Sequence, residues 1–207
     1  MLGRMNVMRR TTIGLLIVGL ALTATPALSQ GVLSKGDEFL TALRESNGSK
    51  AMRLVEESGF TLVNHRGFDG STGLHIAIRN RNPSWVAYLL EKGADLNAGD
   101  KLGDTPLILA ARTGYGEGVA RLLMNRATVD KPNRQGETAL IVAVQQRHAA
   151  IVSTLLKLGA NPDKRDYAAG YSARDYAGRD SRTKDMLKLI ETVKSRASEI
   201  VATAPAR

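Results

Sequence analysis

A chain of 207 residues, 43% hydrophobic and 24% charged, has an ordinary globular composition and the length of one domain. It contains no cysteine, which excludes disulfides and a lipid tether through a thiol, so its stability must come from packing. A formal net charge of +9 suggests nucleic acid as a partner, but an aromatic content of 4% supplies few platforms on which bases could stack.

At the amino terminus Arg9 and Arg10 precede the apolar run Ile13 to Leu22, followed by Pro26 and Ala27-Leu28-Ser29. This is the pattern of a secretory signal peptide over 1–29, cut before Gln30. A membrane anchor is the competing reading, but a span needs about 20 apolar residues and this run is much shorter. Met1, Met5 and Met8 all precede it, so several start codons are compatible with it. Cleavage removes Arg4, Arg9 and Arg10 and no acid; 29 basic residues less these three, against 20 acidic ones, leave +6. Export without cysteine fits a bacterial periplasm, or secretion, with no stable membrane insertion after cleavage. It turns the basic charge away from nucleic acid and toward an acidic protein surface or an anionic envelope component.

Next, Gly36 to Glu57 holds two short helical patterns, one carrying Phe39, Leu40 and Leu43, the other Met52, Leu54 and Val55. Asn47-Gly48-Ser49 between them reads as a turn in preference to a glycosylation acceptor. Lys35, Asp37, Glu38, Arg44 and Glu45 give this segment, 36–66, the polar outer face of a degenerate terminal repeat. Gly59 to Gly70 then reads as a loop.

From Gly70 the sequence repeats itself. Gly70, Gly103 and Gly136, Thr72, Thr105 and Thr138, and Ala77, Ala110 and Ala143 all recur at an offset of 33, as do the leucine pairs Leu89-Leu90, Leu122-Leu123 and Leu155-Leu156. A fixed period of this size marks a stacked repeat protein, with units over 70–102, 103–135 and 136–168. In the central unit Gly103 supplies a tight turn. Thr105 caps a helix whose first residue is Pro106. Leu107, Ala110 and Ala111 share one face, and Gly114 ends the helix. A second helix turns Val119, Leu122 and Leu123 inward. One such hairpin cannot bury both apolar faces alone, so it must stack on its neighbours.

These units resemble ankyrin repeats. The resemblance rests on Gly103-Asp104-Thr105-Pro106-Leu107, Leu74-His75-Ile76-Ala77 and Gly93-Ala94-Asp95-Leu96-Asn97, and covers about Gly70 to Ile190 with a weaker leading unit. It implies an all-α solenoid of stacked helix-turn-helix units joined by hairpin-like loops. Gly73 and Ala139 depart from the family's proline, and Ile108 and Ile141 from its histidine. Arg126 stands where the other units have Gly93 and Gly159, a position that the resemblance implies has positive φ. The last unit, 169–195, slips to an offset of 34. Its Arg174 and Asp175 replace apolar residues, so it reads as a closing cap. Its second helix places Met186, Leu189, Ile190 and Val193 on one face, and residues 196–207 read as a helix end and frayed tail.

No catalytic constellation appears. His65, His75 and His148 lie in different units without metal-ligand spacing, and His75 occupies a framework position. The Gly67 to Gly73 segment lacks the lysine of a phosphate loop. No catalytic residue, metal or cofactor is therefore expected; an enzyme would need a site that the sequence does not display. The resemblance implies protein binding through the loop tips and the concave face of the first helices. The positions that map there are Arg66, Phe68 and Ser71; Lys101, Leu102, Asp104, Arg112 and Tyr115; Arg134, Gln135, Glu137, Gln145 and His148; and Tyr171 and Arg179. Arg79, Arg112 and Arg179 share one position in three units. Such cations complement helix dipoles, or they form a row about 8–10 Å apart that matches an acidic segment with a carboxylate about every third residue. Two functions stay open: a monomeric, non-enzymatic module that binds another protein, or a basic exported protein that adheres to an anionic envelope surface or polymer.

Overall fold

The structure, a computed structural model, describes residues 34–192. The expected signal peptide over 1–29, Val193 and the tail over 196–207 lie outside the described residues. In order, the helices are α1 (Lys35–Arg44), α2 (Gly48–Ser58), α3 (Gly73–Arg79), α4 (Pro83–Glu91), α5 (Pro106–Arg112), α6 (Gly116–Met124), α7 (Ala139–Gln145), α8 (Ala149–Lys157) and α9 (Ala173–Arg179). A helical stretch over 184–192 follows. There is no strand among the described residues, and the repeats form an all-α solenoid.

Hydroxyl caps start the first helix of the later units. Thr105 Oγ1 accepts the Ile108 amide at 3.2 Å, Thr138 the Ile141 amide at 3.3 Å and Ser172 the Asp175 amide at 3.2 Å. Each cap satisfies an amide that has no partner inside the helix. Asn47 and Asn82 do the same for the second helices α2 and α4, so Asn47 serves the turn that was expected there. Helices α3, α5, α7 and α9 are seven residues long, too short to persist alone in water. They persist because α1, α3, α5, α7 and α9 pack one on the next.

That stacking changes one expectation. Leu107, Ala110 and Ala111 were assigned a single face, yet every residue from Pro106 to Ala111 is buried, as are Gly73 to Ile78 and Ala139 to Val144. Each of these helices has a neighbour on two sides and its own second helix on a third. Only the terminal Arg79, Arg112 and Gln145 reach the surface. The second helices form the outer layer, so Val119 and Leu122 are buried while Leu123 is only partly so. The segment after α2 is also less loop-like than expected: a short 3-10 turn at Phe60–Leu62 leads into a buried Leu62-Val63 pair.

His75 belongs to the frame. Its Nδ1 accepts the Thr72 amide at 3.2 Å, leaving Nε2–H to donate to the Asp104 carbonyl of the next unit at 2.9 Å. Burial pushes its pKa below the ordinary 6.5, although the Asp104 carbonyl opposes the shift. The unfolded chain therefore takes up this proton at a higher pH than the folded one. The contribution of the neutral ring is complete above pH 6.5 and is lost as pH falls below it. Urea titrations from neutral pH into the acid range should show wild-type stability falling more steeply than that of His75→Gln; parallel curves would contradict this.

Arg126 has φ 67° at the end of α6, where Gly93 and Gly159 have φ 78° and 92°. A Cβ at either glycine would meet nothing within 4 Å, so the arginine is tolerated sterically and strained only in its backbone. Arg126→Gly is expected to raise stability by about 1 kcal/mol, read as a higher melting temperature; an unchanged or lower one would count against the strain.

A candidate protein-binding face

The loops between units are built from one repeated device. The side chains of Asp100, Asn133 and Asp166 turn back on their own loops: Asp100 Oδ1 accepts the amides of Leu102 and Asp104, Asn133 Oδ1 those of Gln135 and Glu137, and Asp166 Oδ1 those of Ala169 and Gly170. Each loop then donates a tip amide to the one before it. Lys101 N–H binds the Asp69 carbonyl at 2.9 Å, Arg134 N–H that of Leu102 at 3.1 Å and Tyr167 N–H that of Gln135 at 2.7 Å. Gly103 and Gly136, both at φ 81°, make this approach possible. A Cβ on Gly103 would lie 2.8 Å from the Arg134 nitrogen, and one on Gly136 2.6 Å from that of Tyr167.

A row of tip side chains results: Phe68, Lys101, Arg134 and Tyr167, one per loop and 33 residues apart. Phe68 is 98% and Tyr167 72% exposed, and the Lys101 ammonium lies 5.2 Å from the centre of the Phe68 ring. Neither Lys101 nor Arg134 forms an ion pair with an acid among the described residues. Tyr167 was not among the expected site residues, although the period that relates it to Phe68, Lys101 and Arg134 is visible in the sequence. Arg66 is exposed at the first loop and donates to the Gly99 carbonyl of the next. Leu102 and Gln135 are exposed beside the row.

Behind the tips, the helix-end arginines reach back toward the loops, as the tilt of helical side chains toward the amino terminus requires. Arg112 Nε and Nη2 bind the Asp104 carboxylate at 3.0 and 3.2 Å, and Nη2 also contacts Glu137 at 3.4 Å. Asn133 Nδ2 donates to Asp104 at 2.8 Å and to Glu137 at 2.9 Å. The Arg179 guanidinium lies 4.3 Å over the Tyr171 ring, which meets Tyr176 edge-on. Arg79 has Ser71 at the corresponding position, a buried neutral residue, and makes no ion pair or hydrogen bond among the described residues. Arg44, read from the sequence as part of the polar outer face of the first repeat, ends α1 in the same way and pairs with Asp69 at 3.4 Å. A depression of about 420 Å³ opens here, with Arg79 and Arg112 facing Asp100, Asp104 and Glu137. Arg44 and Arg112 are therefore held by carboxylates and Arg179 by a ring, whereas Arg79 is not, so the row is not a continuous cationic strip.

Three expected contact residues are corrected. Asp104 is buried, 2% exposed, and ties Arg112, Asn133 and, through its carbonyl, His75 together. Ser71 is buried beside it. Tyr115 is buried because it precedes α6 at the far end of α5 from the loops, packed against Gly118 and without a partner for its hydroxyl. His148, the matching residue before α8, is half-buried over Gly114. Gln145 is half-buried near Tyr176. Burial, and then the Asp166 carboxylate at 2.6 Å, push the Tyr176 hydroxyl up to about 12. No group of three or more His, Cys, Asp and Glu among the described residues could hold a metal ion, and no helix there is long and apolar enough to cross a membrane.

The family model for ankyrin repeats, three copies long, matches residues 39–133 and again 97–166, together well over half of the chain. The chain belongs to the ankyrin-repeat family. Curated relatives include a fowlpox virus (strain NVSL) ankyrin repeat protein, FPV230, 51% identical over 39 residues. Another is the serine/threonine-protein kinase VIK of Arabidopsis thaliana, 43% identical over 61 residues. These matches take in 19% and 30% of this chain, and the chain spans only 21% of the viral protein and 14% of the kinase. Ankyrin repeats are generally non-enzymatic and serve as protein–protein interaction modules. Their shared residues make the frame, so what distinguishes one ankyrin array from another must be sought in its exposed side chains.

Proposed function

We propose that this chain is an exported ankyrin module, periplasmic or secreted, that binds another protein along its loop tips and the adjoining groove without catalysing a reaction. The observation that carries the reading is the tip row, where two exposed aromatic rings flank two cations that no carboxylate pairs among the described residues, on loops locked together by backbone hydrogen bonds. Export is supported by the charged, apolar and small-residue pattern of the first 29 residues. An array whose exposed residues are preorganised loses little conformational freedom on binding.

The test is cross-linked co-purification from the exported fraction, with the amino terminus of the recovered protein sequenced. A terminus at Gln30 and a partner retained through washing at moderate salt are expected. Arg79→Glu, which disturbs no pair in the structure, should reduce recovery if the groove is used. Recovery that declines smoothly with salt and ignores every single substitution would favour adhesion to an anionic polymer. An intact amino terminus on a cell-retained protein would refute export.

A further inference from the structure

We infer that the tip row recognises an extended acidic segment of a partner protein, with one apolar side chain at each end and carboxylates between them. The inference rests on the protein-binding reading above and specifies the partner's chemistry. The helix-end arginines do not form a continuous row for this recognition, because Asp104 and Glu137 already hold Arg112, Asp69 holds Arg44 and Arg179 lies over Tyr171, which leaves Arg79 by itself in the groove. The tips are different. Asp100 and Asp166, on loops of the same row, are turned inward onto loop amides, and Lys101 and Arg134 are exposed with no carboxylate partner among the described residues.

The order along the row is aromatic, cation, cation, aromatic. Exposed rings of this kind provide contact area at little entropic cost, and the two cations provide register and charge selection. Spacing sets the length of the ligand. If adjacent tips are spaced like packed helices, about 8–10 Å apart, Phe68 and Tyr167 are separated by about 24–30 Å. An extended strand rising about 3.3 Å per residue covers that in about seven to nine residues, with its carboxylates about three residues apart. Backbone contacts with Gly103 and Gly136 hold Arg134 and Tyr167 in place, so the row exists before the ligand arrives.

A randomised nonapeptide library displayed on phage, selected against the protein from Gln30 onward, tests this directly. The expected result is enrichment of peptides with Asp or Glu about three residues apart between apolar ends. A synthetic peptide of the enriched sequence should bind Lys101→Glu/Arg134→Glu at least about fivefold more weakly than wild type, and lose affinity with salt. Phe68→Ser/Tyr167→Ser should weaken binding while leaving its salt dependence intact. Because all four side chains lie at the surface, these variants should keep the wild-type melting temperature. Enriched peptides that are neutral or basic, or that bind the charge-reversed variant equally well, would overturn the proposal while leaving protein binding in place. Selection of nothing above background would overturn it as well, and the broader reading would then stand or fall by co-purification.

Discussion

Replacing Leu122 by alanine is expected to lower the unfolding free energy by about 2–5 kcal/mol. Leu122 is fully buried on the inner side of α6, as Leu89 and Leu155 are on α4 and α8. It lies between the central unit's own first helix and the second helices on either side, which pack against α6. Truncation removes the transfer free energy of the lost carbons and leaves a cavity that seven-residue helices, pinned by their caps and neighbours, can close only in part. Urea denaturation followed by circular dichroism gives the measurement. In a linear array each unit is stabilised by the interfaces on both of its sides, so the variant should also show a shallower transition as the two halves of the array uncouple. A near-neutral Leu122→Ala would contradict stacking as the main source of stability.

The second large effect is expected from Gly136→Ala, at about 2–5 kcal/mol. Gly136 combines φ 81° with the close approach of Tyr167, whose backbone nitrogen would lie 2.6 Å and ring 2.7 Å from an added Cβ. The first factor is the ordinary cost of left-handed backbone to a side chain; the second requires the next loop to move. Gly159→Ala isolates the first, because φ there is 92° and nothing lies within 4 Å of the added carbon. It should cost about 1–2 kcal/mol. Equal losses in the two variants would show that the contact between loops contributes nothing. Since the same contact positions Tyr167, Gly136→Ala should also weaken any ligand held at that end of the tip row.

The two substitutions touch parts of the molecule that differ in how readable they are from sequence. Leucine pairs, capping threonines and tip glycines recur at a fixed offset because every unit meets the same neighbours, so the constraint on each is repeated along the chain. Repetition also marks the exceptions: Arg126 stands out against two glycines, and its φ of 67° agrees with what its position implies. Contact residues are harder to read, because exposure depends on which side chains other units supply. Asp104 and Arg112 both occupy positions that are exposed in an isolated hairpin. In the array, Asn133 and Glu137 of the next unit close over them, and Asp104 becomes part of the core.

By itself, then, the sequence determined the repeat, the helices within it and the family, since local caps, turns and apolar spacing are properties of short segments that stacking copies from unit to unit. Only the tertiary structure decided where charge is left over. Whether an arginine is satisfied depends on partners 8 to 25 residues away in sequence, as Asp104 and Glu137 are from Arg112, and on a serine that cannot pair with Arg79. Packing between units buries Asp104, Ser71 and Tyr115 and leaves Tyr167 exposed. Among the described residues Lys101 and Arg134 at the loop tips have no carboxylate partner, as Arg79 in the groove has none, and backbone hydrogen bonds between neighbouring units fix the tips.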